Sequence, residues 1–278
     1  MITQLRVAAR IMSSRIDAAN PAHAALAGAS VIVTRPVGSA RGMLAAIRAR
    51  GGTAIALPGL ALRVCADVSL ARAQLLAAQG AEAWIFSSPA AVRFAFDLLP
   101  AWPASSRTHV IALGDGSARA LQRRGVPSIV PPERSDSEGV LALGELAQVR
   151  DRRIVIIGAA GGRGLIASTL RERGAEVVEA HVYARIAPRL TQRHFAALAA
   201  ADDPLILLLS SAEVLRHLQA LLPPPLLARL QQQTIVVSSA RLGEIVARQG
   251  FPHSVRATSA RPRDLVAAAE RALAHHRL

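Results

Sequence analysis

Residues 31–57 read VIVTRPVGSARGMLAAIRARGGTAIAL, and residues 154–180 read IVIIGAAGGRGLIASTLRERGAEVVEA. Val31 aligns with Ile154 and Gly51 with Gly174, both at an offset of 123 (154 − 31 and 174 − 51). Each copy holds a short β-branched run, a glycine-bearing turn, an amphipathic helix pattern, a glycine stop and a second apolar run. The second copy runs directly into HVYAR, whose Tyr183 is the single tyrosine of the chain. The repeat extends further, since Ser87-Ser88 and Ser210-Ser211 are again 123 apart and Gly125 and Gly250, each a helix stop, are 125 apart. The whole chain reads as a duplication, with two similar α/β halves facing each other across a cleft.

Strand and helix patterns alternate throughout, which predicts parallel sheets with helices on both faces, that is, two three-layer α/β/α domains. Thr34-Arg35-Pro36 closes the first strand, because proline cannot donate to a ladder. Gly38 or Ser39 then starts a helix. A helix over Ala71–Ala78 is expected, and another after Ser87-Ser88-Pro89 with Val92, Phe94 and Leu98 on its apolar side. Ser117 leads into a further helix, and Ser128–Val130 is a brief strand. Ser135 and Glu138 have capping-box spacing before a helix reaching Leu146, and Pro223-Pro224-Pro225 breaks the chain. Residues 1–29 carry a single acid, Asp17, and no continuous apolar core of a secretory signal. They are read as a disordered leader outside the fold.

Composition narrows the function classes. Only 3% of the 278 residues are aromatic, so the core is built from Ala, Leu, Val and Ile. No apolar run nears the ~20 residues of a membrane helix. The single cysteine, Cys65, excludes internal disulfides and cysteine-based metal clusters and fits a reducing, cytoplasmic setting. The histidines are scattered without ligand spacing, so no metal is expected. All 33 basic residues are arginine, against 19 acids, for a formal charge of +14. Without lysine there is no Schiff base and no phosphate-loop lysine. The positive balance favours an anionic partner. Spread-out arginines and few rings argue against nucleic acid, and a small polycarboxylate fits better.

In open parallel sheets, ligands bind beyond the carboxyl ends of the strands. Small polar clusters stand at these ends: Thr34-Arg35, Ser87-Ser88, Gly114-Asp115-Gly116-Ser117, Gly161-Gly162, Ser210-Ser211, Ser238-Ser239 and Thr258-Ser259. Each precedes a helix, whose free N–H groups and partial positive charge suit carboxylates. Taken alone, each is an ordinary N-cap worth ~1 kcal/mol; seven together point to a collective site. Gly158–Gly164 lacks the lysine of a phosphate loop and misses the G-x-G-x-x-G spacing. No nucleophile elbow, catalytic triad or paired carboxylates stand out. Tyr183 is the distinctive candidate proton donor, its bland alternative being a packing residue with its hydroxyl in water.

The pattern VIVTRP…G, WIFSSPAAV, VIALGDGSARAL, PPERSDSEGVLAL and HVYAR resembles the uroporphyrinogen-III synthase family from about Val31 to Leu265. The resemblance implies two α/β domains joined by a two-stranded linker at Leu60–Val64 and Tyr183–Ala187, with residues 30–62 plus 187–278 in one domain and 63–186 in the other. The repeat by itself equally allows contiguous halves, about 30–150 and 151–278. The resemblance also implies closure of linear hydroxymethylbilane, with loss of water and inversion of its last ring, to uroporphyrinogen III, without metal or organic cofactor. The substrate would be a tetrapyrrole with eight carboxylates, supplied by hydroxymethylbilane synthase to a monomer that contacts neither nucleic acid nor membrane. Tyr183 matches the family tyrosine proposed to assist loss of the hydroxyl. Substrate would be held by Thr34, Arg35, Ser87, Ser88, Gly114, Ser117, Gly161, Ser210, Ser211, Ser238 and Arg261. Ser117 stands where the family usually has Thr. Arg261 stands where it often has Thr before proline, and is read here as a carboxylate holder. A non-enzymatic two-lobed protein binding small anions is the alternative.

Overall fold

Parallel strands cannot be joined by a tight turn, so each apolar run must be followed by a crossover that returns the chain to the same end of the sheet. The computed structural model describes residues 24–100, 107–134, 136–161 and 164–276, and there the chain obeys this rule. The strands are β1 (Ser30–Val33), β2 (Thr53–Ala56), β3 (Ala61–Val64), β4 (Ala83–Phe86), β5 (His109–Ala112), β6 (Arg153–Ala159), β7 (Glu176–Ile186), β8 (Leu205–Leu209), β9 (Thr234–Val237) and β10 (Ser254–Arg256). They form two sheets, ordered β10-β9-β8-β1-β2 and β3-β7-β6-β4-β5. The chain divides into two compact units, one up to Ala61 and again from Ala187, the other Leu62–Ile186.

The registers show the duplication residue by residue. In the first unit Val31 lies opposite Ala54 and Ile206; in the second, Ile154 lies opposite Val177 and Ala83. All three pairs of counterparts differ by 123 (154 − 31, 177 − 54 and 206 − 83). Farther out the offset becomes 125, since Ile206 faces Thr234 where Ala83 faces His109. The two units thus share one strand order, but the chain enters it at different points. In the first unit the β1–β2 pair comes before β8–β10; in the second, β4–β5 comes before β6–β7. The expected strand at Ser128–Val130 is only a bridge from Ile129 to Ile111, at the place that β10 fills in the first unit.

Both faces of each sheet are covered. Trp84 and Phe86 pack with Leu75, Val92, Ala95, Leu121, Val155 and Ile157 on one face, while Ile85 packs with Val140, Leu146, Ile166 and Leu170 on the other. In the first unit Val31, Val33, Ile206 and Leu208 pack against Met43, Ile47, Leu265, Ala269 and Leu273. This unit begins before Ser30: Leu26 is fully buried and donates its N–H to the Arg50 carbonyl at 2.9 Å. Residues 1–23 of the expected leader lie outside the described residues.

Helix starts differ from expectation where a proline or an aspartate cap sets the first turn. Helix Val37–Arg48 begins directly after Pro36, whose fixed φ leads into the first turn, and Ser39 bonds back to the Pro36 carbonyl at 3.0 Å. Helix Val68–Ala77 starts early because the Asp67 carboxylate accepts from the Leu70 N–H at 2.8 Å. Helix Asp115–Gln122 places Ser117 inside its first turn. Asp136 caps helix Ser137–Leu141, accepting from the Gly139 N–H at 2.9 Å, and a separate 3₁₀ turn covers Gly144–Leu146; Ser135 lies outside the described residues. Pro224 and Pro225 occupy the first turn of helix Pro224–Gln231, where a missing N–H costs no hydrogen bond. Helix Gln192–Ala199 carries a capping box between Thr191 and His194.

After β2 the first unit is closed by Gly59. Its N–H donates to the Thr34 carbonyl at 2.9 Å, and its carbonyl accepts from His217 Nδ1 at 2.8 Å. A Cβ at this position would lie 2.3 Å from Val214 Cγ1. Gly59→Ala is therefore expected to destabilise the protein by about 1–3 kcal/mol through overpacking. Urea unfolding of the two proteins checks this; equal midpoints would contradict the packing account.

Candidate functional site

Strand order reverses once in each sheet. From β1 the chain moves outward to β2, and from β8 it moves the other way through β9 to β10; in the second unit the reversal falls between β6 and β4. At such a switch point neighbouring loops diverge, which opens a crevice beyond the carboxyl ends of the strands. Thr34, Arg35, Ser210 and Ser211 stand at this point of the first sheet. Ser87, Ser88 and the loop after Gly158 stand at that of the second.

Several candidate hydroxyls are used by the fold itself. Thr34 is buried, and its Oγ1 donates across the switch point to the Leu208 carbonyl at 2.8 Å. Ser87 does the equivalent in the second unit, donating to the Ile157 carbonyl at 3.0 Å. Its Oγ would sit 2.5 Å from a Cβ at Gly158, so that close approach requires glycine. Ser211 caps helix Ala212–Leu221 by accepting from the Glu213 N–H at 3.2 Å. Ser238 donates to the Ser210 carbonyl at 3.4 Å, while its neighbour Ser239 caps the next helix. Ser117 is buried in its helix, and Gly114 is the N-cap of that helix, which has no side-chain cap.

Tyr183 and Ser88 are brought together. The phenol oxygen lies 3.0 Å from Ser88 Oγ, which also caps helix Pro89–Leu98 by accepting from the Ala91 N–H at 3.0 Å. A hydroxyl has one proton and two acceptor lone pairs. With one lone pair of Ser88 held by Ala91, its proton can go to the phenol oxygen, which leaves the phenol proton for a ligand. The ring is fixed as well: Tyr183 is 7% exposed and stacks on Phe94, with centroids 5.4 Å apart and planes 12° from parallel. Ser88 and Phe94 belong to one helix and its cap, so a single element holds both ends of the tyrosine. The sequence pattern placed Phe94 on the apolar side of this helix. It packs there half-buried, beside the buried Ala91, Val92, Ala95 and Phe96, and its ring also meets the tyrosine.

Arg35 is the notable group of the first unit. Its Nη2 donates to the Ala260 carbonyl at 2.8 Å, and its buried Nε has no hydrogen-bond partner. Among the described residues no carboxylate forms an ion pair with it, and burial lowers its pKa from the usual arginine value. A desolvated, unpaired cation is costly, and an anionic ligand is the natural remedy. The loop that Arg35 meets is held by its own hydrogen bonds: Ser259 Oγ accepts from the Arg261 N–H at 3.1 Å and donates to Asp264 Oδ2 at 2.5 Å. This places Arg261 at the head of helix Pro262–His276. Gly161, in the left-handed region at φ 80°, is held through its carbonyl by Arg185 at 3.0 Å.

Two roles in this region escaped the sequence reading, that of Phe94 against the tyrosine and that of Arg185. Arg185 was in view within HVYAR, but only tertiary structure shows that it bonds to the loop after β6. Among the described residues no group of three or more His, Cys, Asp or Glu is placed to hold a metal ion, and no helix is long and apolar enough to cross a membrane.

Comparison with known proteins bears on the same elements. The family described as uroporphyrinogen-III synthase HemD matches residues 42–267. The uroporphyrinogen-III synthase of Salmonella typhimurium is 30% identical over 163 residues, which are 57% of this chain and 65% of that protein. That of Escherichia coli is 31% identical with the same coverage. That of Proteus mirabilis is 35% identical over 100 residues, 36% of this chain and 49% of the relative. The chain thus spans between about half and just under two thirds of the length of these curated relatives. Among solved structures, uroporphyrinogen-III synthetase from Helicobacter pylori gives a TM-score of 0.61 at 16% identity, covering 90% of this chain and 99% of that one. A mutant uroporphyrinogen III synthase from Thermus thermophilus gives 0.52 at 20% identity, covering 89% and 99%, and these two likenesses speak to the fold. With the family match running through both units, from helix Val37–Arg48 to helix Pro262–His276, the chain belongs to the uroporphyrinogen-III synthase HemD family.

Proposed function

We propose that this chain is a uroporphyrinogen-III synthase, a cyclising lyase that closes hydroxymethylbilane with loss of water and inversion of the last pyrrole ring. The observation that carries the reading is Tyr183 held at the carboxyl end of the second sheet, its hydroxyl 3.0 Å from the helix-capping Ser88 and its ring stacked on Phe94. In the proposed first step the phenol proton passes to the departing hydroxyl, which leaves as water. The cation left on the substrate is attacked by the substituted carbon of the last ring, and the resulting spiro intermediate rearranges. The proton is returned when the newly bonded ring carbon regains aromaticity, so the phenol is restored. Ser88, by donating to the phenol oxygen, aims the phenol proton outward.

Binding is assigned to groups that bear positive charge or free amides. Arg35 and Arg261 take carboxylates in the first unit, beside the start of helix Pro262–His276; the uncapped amides behind Gly114 and the loop at Gly161 do so in the second. Thr34, Ser87 and Ser117 act indirectly, by fixing the strand ends and the helix that carry these groups. The role of the fold is orientation, bringing the substituted carbon rather than the free one to the cation. On this reading the enzyme works as a cytoplasmic monomer on substrate received from hydroxymethylbilane synthase. The lone Cys65, with no disulfide partner, supports a reducing compartment.

A coupled assay tests the activity: hydroxymethylbilane generated in place should yield the type III isomer, and a product that is entirely type I, the uncatalysed outcome, would refute the reading. Tyr183→Phe keeps the ring stack and removes the proton, so kcat should fall roughly 10-fold to 100-fold, toward the low end of what a positioned acid supplies. Unchanged kcat would exclude Tyr183 as the donor. Arg35→Ala and Arg261→Ala should each raise KM roughly tenfold with kcat kept, as expected for loss of a charged hydrogen bond made equally in ground and transition states. Steady-state kinetics checks this, and an unchanged KM would remove the residue concerned from the binding set.

A further inference from the structure

We infer that Arg185 is a positioning residue for Tyr183, acting by clamping the last pair of the β6–β7 ladder. The register of that ladder runs regularly from Arg153 opposite Glu176 to Gly158 opposite His181, and then shifts, so that Ala159 lies opposite Tyr183. The irregularity skips Val182, and Tyr183 is left with one paired position on β6 beyond it. A bulge re-aims the side chains that follow it, and this one carries the tyrosine to the end of the ladder. The last pair of a ladder is its least protected, because nothing holds it from the far side.

Arg185 supplies that missing hold. Its Nη2 donates to the Ala160 carbonyl at 3.3 Å and the Gly161 carbonyl at 3.0 Å, the two residues directly after Ala159. A side chain on β7 therefore continues the pairing where backbone pairing stops. Gly161 meets it in the left-handed region, with Nη2 3.7 Å from where a Cβ would stand. On the other side β3 is a four-residue edge strand, and Cys65 N–H reaches the Val182 carbonyl at 3.3 Å. The clamp thus lies two residues beyond the tyrosine on its own strand. It fixes the segment that Ser88 and Phe94 then hold by hydroxyl and ring. Both bonds come from the single nitrogen Nη2, whose N–H directions the planar guanidinium fixes, whereas an ammonium on a flexible stem leaves them free to rotate.

The inference rests on the reading that Tyr183 donates a proton, and its test separates the two. In Arg185→Ala, amide exchange at Tyr183 should quicken at least tenfold while exchange in β4 stays unchanged, a readout that needs no activity. In the coupled assay kcat should fall about tenfold, part of the ~10²–10⁴ that a positioned acid provides, with KM within twofold. Arg185→Lys should recover part of the loss. In the Tyr183→Phe background Arg185→Ala should cost little more, because a residue acting through the tyrosine has nothing left to position. Unchanged exchange at Tyr183, a rise in KM alone, or full additivity with Tyr183→Phe would each overturn the inference. Should Arg185→Ala fail to fold, Arg185→Lys carries the same exchange and additivity measurements. Absence of type III product from the unaltered protein would instead refute the enzymatic reading and leave the exchange result standing.

Discussion

Pairing between β6 and β7 is the constraint on which the second unit and its candidate chemistry depend. β6 is largely buried and β7 lies between it and the edge strand β3, so the backbone groups between them must find partners in the sheet. That requirement fixes Ile154–Ile157 against Val177–Ala180 and so fixes where the strand can depart from regularity. The shift between Gly158 and Ala159 comes where β6 meets the loop, and it decides which way Tyr183 faces. Ser87 holds the other side of β6, bonding to Ile157 over a glycine that leaves room for it. Helix Pro89–Leu98 then closes on the tyrosine from its N-cap and from Phe94.

Duplication gives the same frame twice and fills it differently. In each unit one hydroxyl bridges the two strands at the switch point, Thr34 to Leu208 in the first and Ser87 to Ile157 in the second. The second unit places an aromatic hydroxyl beside that bridge. The first places a desolvated guanidinium, Arg35, there. On the proposed reading, the second frame would supply the proton and the first would offer its cation to a carboxylate. The large arginine excess has a second use as well. Arg229 donates to the carbonyls of Leu198, Ala199 and Ala201, and Arg173 to those of Leu141 and Leu146. These arginines close helix and turn ends, so net charge alone overstates the number available to a ligand.

Much of the frame was legible in the sequence because the repeat is a repeat of register. Val31 and Ile154 occupy the same place in their sheets, and glycine stops keep the spacing between strands constant. The polar strand ends were legible too, but not their roles. Whether a serine caps a helix, bridges two strands or meets a tyrosine depends on partners far away in sequence. Ser88 lies 95 residues from Tyr183 and Thr34 174 from Leu208. Helix Gln192–Ala199 was missed because its capping box uses His194 where the pattern calls for Glu or Gln. The early start of helix Val68–Ala77 was missed because Asp67 follows a strand with no glycine or proline to mark its end. Periodicity placed Phe94 on the apolar side of its helix, where it packs half-buried against the core, but could not show that its ring also meets Tyr183.

If Tyr183 is the proton donor it must face the substrate, and as the single tyrosine of the chain it can be followed directly. With ¹³C at the phenol carbon, the protein gives one tyrosine resonance, which can be followed while a linear tetrapyrrole lacking the hydroxymethyl group is added. Such an analogue has no hydroxyl to lose and so cannot react. The account predicts that the resonance shifts in step with binding measured by calorimetry, and that Ser88→Ala alters its position before any ligand is present. A resonance that stays in place while the analogue binds would contradict it.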